Sequence, residues 1–167
     1  MSKVELVCTT STSRQESEVA KNEINDCVVR AFASAFDIPY DLAHHFCAVT
    51  FKRKPKQGTF GSRPFLASVE RVLGRKVVEL GEEGYPGALT KGMYTYYRPV
   101  KQYWGTEPMV RRTMTVKTFL ERYPKGTYLV YVTRHVFAVK DGVVYGNHED
   151  AKRLRTRVHG AFQVTVQ

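Results

Sequence analysis

Cys27 follows directly on Asn25-Asp26, a pair suited to capping a helix. A thiol at a helix N-terminus sits beside unpaired backbone N–H groups and the positive end of the helix dipole, and both favour the thiolate. His135 opens a β-branched and aromatic run far downstream, where a neutral imidazole could take the thiol proton. Together the two residues would perform nucleophilic acyl transfer. A third group must hold the imidazole in its working tautomer, and the turn signal Asp141-Gly142 narrows the choice. A three-residue loop at 140–142 sets Asn147 across from His135, whereas a two-residue loop sets His148 there. Asn147 is the preferred orienter because its neutral carboxamide oxygen accepts an imidazole N–H; a shorter turn would hand the contact to His148 or Asp150. Oxyanion stabilisation requires the Cys27 N–H and an upstream amide, Asn22 or Asn25. Asn22 is favoured because Asn25 is expected to be engaged in capping.

These residues need elements to hold them. After a short strand at 4–7, residues 8–17 are rich in Ser and Thr without apolar period, so 1–20 reads as a loosely ordered lead-in. Val28, Val29, Phe32, Ala35 and Phe36 then repeat with the period of one buried helical face. Pro39 restarts the chain into a second helix at 40–48, a basic loop follows, and Phe65, Leu66, Val69, Val72 and Leu73 mark a third helix stopped by Gly74. A strand at 76–80 precedes a stretch with no clear period, which holds the aromatic cluster Tyr94, Tyr96, Tyr97, Tyr103 and Trp104. Thr115 caps a short helix at 116–122 that Pro124 terminates. Strands are expected at 128–133, 135–140, 143–147 and 162–166. Helices first and strands second predict one α+β domain over 1–167, with an N-terminal helical half packed on a C-terminal antiparallel sheet.

The 26 Lys and Arg against 16 Asp and Glu leave a charge of +10, which draws the chain towards acidic partners or nucleic acid. The positive residues are scattered through 52–56, 111–112 and 152–157, a pattern that also suits a solvated surface. No apolar run approaches the roughly 20 residues of a membrane span, so no membrane is expected. Cys8, Cys27 and Cys47 are odd in number and lack Cys-x-x-Cys spacing, so they read as reduced thiols. His44, His45 and Cys47 do not form a ligand set, because adjacent helical histidines diverge. Neither metal nor cofactor is expected.

The segments 25–32 (Asn-Asp-Cys-Val-Val-Arg-Ala-Phe) and 37–41 (Asp-Ile-Pro-Tyr-Asp) resemble the nucleophile helix of small papain-like proteins encoded by bacteriophages. Residues 123–130 and 134–145 are similar to their histidine hairpin, and with the basic Gly58-Thr59 loop the resemblance spans about half the chain. It implies a papain-like fold, Cys27 as nucleophile, His135 as base and a cysteine peptidase or isopeptidase activity used during infection. A protein or peptide substrate and a place in the host cytoplasm follow, with virion association as the alternative. Two positions depart from the family pattern: Gly146 stands where an aspartate is usual, and Lys21 where papain's oxyanion glutamine would be. Those departures keep two rivals in view, an inactive binding or inhibitor protein on the same scaffold and a basic nucleic-acid binder.

Overall fold

The computed structural model describes residues 4–10, 14–59, 65–80, 89–90, 93–99 and 109–166. It is a mixed α+β architecture in which helices α1 (Cys27–Phe36), α2 (Tyr40–Phe51) and α3 (Phe65–Leu73) precede most of the strands. The main sheet has six strands: β1 (Leu6–Cys8), β2 (Arg75–Glu79), β6 (Thr127–Val132), β7 (His135–Lys140), β8 (Val143–Gly146) and β9 (Gly160–Val166). They lie in the order β1-β8-β7-β6-β9-β2. A second sheet joins β3 (Leu89–Thr90), β4 (Met93–Pro99) and β5 (Met109–Thr113) in antiparallel order. These strands occupy part of the stretch in which no period was legible. Of the aromatic cluster expected there, Tyr103 and Trp104 lie outside the described residues and Tyr94, Tyr96 and Tyr97 fall on β4.

Helix α1 forms where the apolar period requires it, and its buried Phe32 meets Phe36, Phe46 and Phe51 with ring centroids 5.2, 6.0 and 5.8 Å apart. The packing sets α1 against β7, with its N-terminus at the His135 end. Leu129, Val136, Ala138 and Phe162 face this helical layer. Their strand neighbours Tyr128, Val130, Phe137, Val139 and Ala161 face the other way, onto Phe119, Met114 and Val158. Phe119 belongs to α4 (Val116–Arg122), whose first turn is capped by the Thr115 hydroxyl accepting from Thr118 N–H. The sheet is therefore covered on both faces, not on one as a helical half against a sheet half would have it. The near-continuous apolar runs of β6 and β7 are the sequence cause, since a strand buried on both faces cannot alternate with polar residues.

Two further differences bear on the site. β1 joins the sheet edge parallel to β8, with Leu6, Val7 and Cys8 opposite Val144, Tyr145 and Gly146, so the sheet is not wholly antiparallel. The first twenty residues are also not a loose lead-in where they are described. Thr9, Ser17 and Ala20 are buried, Arg14 donates to the carbonyls of Ala20 and Glu23, and the Ser17 hydroxyl donates to Asp41. Short polar side chains carry no hydrophobic period, yet they are ordered here because each finds a hydrogen-bond partner. Among the described residues no helix is long and apolar enough to cross a membrane.

Candidate active site

Cys27 is the first residue of α1, and the helix opens without a side-chain cap. Asn25 takes a positive φ of 54°, a conformation that Asn tolerates better than most residues, and turns the chain into the helix. The Asp26 carboxylate points inward to Arg30 and Tyr40 instead of capping. The expected capping pair is thus used differently, and the free N–H groups of the first turn remain beside the thiol.

His135 begins β7 and lines the same cleft as Cys27, where each draws the other towards its charged form. Its Nε2 lies 2.9 Å from Asp150 Oδ2, which leaves Nδ1 for the sulfur. The side chain that meets the ring is therefore Asp150 and not Asn147. Two features of the hairpin account for the correction. Lys140 pairs with Val143, so the turn holds only Asp141 and Gly142, and the register that would set Asn147 across from His135 is absent. His148, the partner expected for that shorter turn, is not used either: β8 ends at Gly146, and His148 lies on the surface with Nε2 3.5 Å from Cys8 Sγ. The chain then folds back through 147–150, and the Asp150 carboxylate crosses over Gly146. A Cβ at position 146 would stand 2.2 Å from Asp150 Oδ2 and 3.0 Å from Phe137 Cβ, so only glycine leaves room for the contact.

Asn147 supports the site from behind. Its N–H donates to Asp150 Oδ2 at 2.6 Å, and its Oδ1 accepts from Arg30 at 2.8 Å. Arg30 is buried on α1, donates to Thr9 Oγ1 and pairs with Asp26, whose other oxygen accepts from Tyr40. One polar chain thus runs from Tyr40 through Asp26, Arg30, Asn147 and Asp150 to His135, joining α2, α1, the loop after β8 and β7. A second buried group fixes the opposite wall. Glu23 Oε2 accepts from Arg53 at 2.6 Å and from Lys56 N–H at 3.0 Å, which ties the basic loop to the segment before α1. Arg53 is therefore not one of the solvated charges that the sequence suggested. Removing one partner of such a buried pair typically costs about 3–5 kcal/mol.

Between these walls lies a cleft of ≈ 260 Å³, lined among others by Asn25, Cys27, Gly58, Thr59, Arg134 and His135. Asn25 donates one amide hydrogen to the Lys56 carbonyl at 3.3 Å, and its second remains available for an oxyanion. Asn22, the donor favoured from sequence, is exposed at the end of a single 3-10 turn and does not line the cleft. Tyr131 also lines it, and its hydroxyl is buried with no hydrogen-bond partner among the described residues.

The electrostatics shift both the thiol and the imidazole towards their charged forms. Burial raises the Cys27 pKa, but the hydrogen bond and charge of His135, a backbone bond from Val136 and the charge of Arg30 outweigh it, and the net pKa is lowered. Burial likewise opposes the His135 imidazolium, yet Asp150 and Cys27 overcome it and lift His135 to about 9. Cys47 has the opposite fate: buried in the helical layer, it is pushed up to about 12. Cys8 is partly exposed and contacts Thr10 Oγ1 at 2.9 Å. Among the described residues no three His, Cys, Asp or Glu side chains converge as a metal would require. Asp150, Arg30, Tyr131 and Arg134 were not among the residues first selected from sequence. Only Asp150 had a signal there, as the alternative for a short turn.

No protein-family model matches the chain, and no curated protein and no solved structure matches it.

Proposed function

We propose that this chain is a thiol hydrolase with a papain-like arrangement, cleaving a peptide or isopeptide bond with Cys27 as nucleophile, His135 as acid and base, and Asp150 as orienter. The observation that carries the reading is a helix-terminal thiol and the His135 ring on one cleft, with a carboxylate 2.9 Å from that ring. The thiolate attacks the substrate carbonyl carbon and forms a C–S bond, and the Cys27 N–H and the Asn25 amide receive the oxyanion. Collapse breaks the C–N bond as the His135 imidazolium gives its proton to the leaving nitrogen. Water, losing a proton to His135, then attacks the thioester. The C–S bond breaks, the carboxylic acid leaves and gives its proton to solvent, and thiolate and imidazolium are regenerated.

The resemblance to phage proteins in the nucleophile and histidine segments supports a role during infection, in the host cytoplasm. The test is alkylation by iodoacetamide near neutral pH, followed residue by residue with mass spectrometry. Fast modification of Cys27 that His135→Ala abolishes is the expected result. Equal modification of Cys27 and Cys8, indifferent to His135, would remove the catalytic reading and leave a binding protein.

A further inference from the structure

The Cys27 cleft is one-sided in charge. Arg134 lines it immediately before His135, is exposed, and has no hydrogen-bond or ion-pair partner among the described residues. The opposite wall is the basic loop, where Lys54 and Lys56 are exposed and the Lys56 carbonyl holds Asn25. No residue lining the cleft carries a carboxylate. Glu23 lies behind this wall, buried and paired with Arg53. The cleft on the other side of His135 differs, since Glu149, Asp150 and Arg153 line it together. Of these two clefts, the one around the nucleophile therefore carries an unpaired cation and no carboxylate. There the acyl portion of a substrate must lie, because it stays on the sulfur when the amine departs. Val28, Val132 and Val136 line this cleft beside two rings, of which Tyr131 packs edge-on against Phe162 and His135 is held by Asp150.

From this we infer that the Cys27 cleft selects an acidic peptide, with aspartate or glutamate within the first few residues on the acyl side of the scissile bond and Arg134 as the residue that reads it. The inference rests on the thiol-hydrolase reading and names its substrate class. Arg134 ends the two-residue turn between Val132 and His135 at φ 55°, a conformation that glycine adopts at less cost than arginine. Arg134→Gly therefore deletes the cation without endangering the turn.

The experiment uses the full chain and two tetrapeptide vinyl sulfones that differ only in carrying Glu or Lys at the two positions before the electrophilic residue. Rates of Cys27 modification are read by intact mass and divided by the iodoacetamide rate of the same variant. An exposed charge contact is worth up to roughly fivefold, so attraction of one probe and repulsion of the other should favour the acidic probe several-fold, up to about tenfold, at low salt. Salt at 0.5 M should remove most of that preference. Arg134→Gly should reduce it by roughly threefold, and Arg134→Glu should abolish or invert it. Equal rates for the two probes, or an acidic preference that survives Arg134→Gly, would overturn the inference while preferential iodoacetamide labelling of Cys27 kept the hydrolase reading intact. Protection of Cys27 by a short oligonucleotide better than by a Glu-rich peptide would overturn it in favour of nucleic acid. If iodoacetamide does not prefer Cys27, both fall together.

Discussion

Replacing Asp150 by Asn removes a charge while keeping an oxygen that can still accept from Asn147 N–H and from the His135 ring. In the native protein His135 is lifted from its ordinary 6.5 to about 9, against the opposing effect of burial. At about 1.4 kcal/mol per pKa unit this rise is worth roughly 3 kcal/mol in favour of the imidazolium. The Asp150 hydrogen bond is the largest upward influence, ahead of the hydrogen bond from Cys27, and its charge adds to it. Losing the charge should therefore forfeit about half, or roughly 1.5 kcal/mol, which corresponds to about tenfold in the population of the thiolate–imidazolium pair. The assay is the iodoacetamide rate at Cys27 across pH 5–10. Near pH 6.5 Asp150→Asn should react about tenfold more slowly than the native protein. Near pH 10 the thiol is ionised without help and the two rates should converge. Stability follows the same sign. A His pKa raised by folding contributes stability that is fully present below about 6.5 and is lost as pH rises through about 9, so the melting-temperature gap between native protein and Asp150→Asn should be widest near pH 6. Superimposable rate profiles for the two proteins would refute the reasoning, because His135 would then owe its protonation to something other than Asp150.

Gly146→Ala puts a methyl group 2.2 Å from Asp150 Oδ2 and should slow Cys27 alkylation near neutral pH at least as much as Asp150→Asn, with a parallel loss of stability in thermal unfolding. Because that methyl points at the carboxylate's own position, Gly146→Asp combined with Asp150→Gly should recover part of the low-pH reactivity, which the same rate profile measures. Asn147→Ala leaves its backbone N–H on Asp150 but takes an acceptor from buried Arg30, so it should cost about 1–3 kcal/mol in denaturant unfolding and reduce turnover less than Asp150→Asn does. Tyr131→Phe removes a buried, unpartnered hydroxyl and should leave the melting temperature unchanged or higher; a loss above about 1 kcal/mol would reveal a partner for that hydroxyl. Cys47, held protonated by burial, should resist alkylation below pH 10 until the protein unfolds, as timed labelling in denaturant can show.

Local chemistry was readable wherever one residue's neighbours in sequence are also its neighbours in space. The apolar period at 28–36 specified α1, Thr115 and Pro124 bounded α4, and Asp141-Gly142 marked the tight turn between β7 and β8. Cys27 and His135 stood out because a thiol at a helix start and an imidazole at a strand start are positions whose chemistry can be argued from types and spacing. The turn length could not be read, because Asp-Gly suits both two- and three-residue hairpins and the choice depends on how β7 and β8 twist against the rest of the sheet. That single residue of register takes Asn147 away from His135, and the fold-back after β8 brings Asp150 to the ring instead. Periodicity is silent on Asp150 itself, since it lies beyond the strand end and returns to His135 only because the missing side chain of Gly146 leaves a path. Arg30 is a cation within a largely apolar helix. It is buried because Asp26, one helical turn before it, Thr9 on the strand edge and Asn147 after the hairpin converge on its guanidinium. A sequence determines which side chains can ionise, donate or pack; the tertiary fold decides which are desolvated together, and desolvation turns a thiol, a ring and a carboxylate into one coupled site.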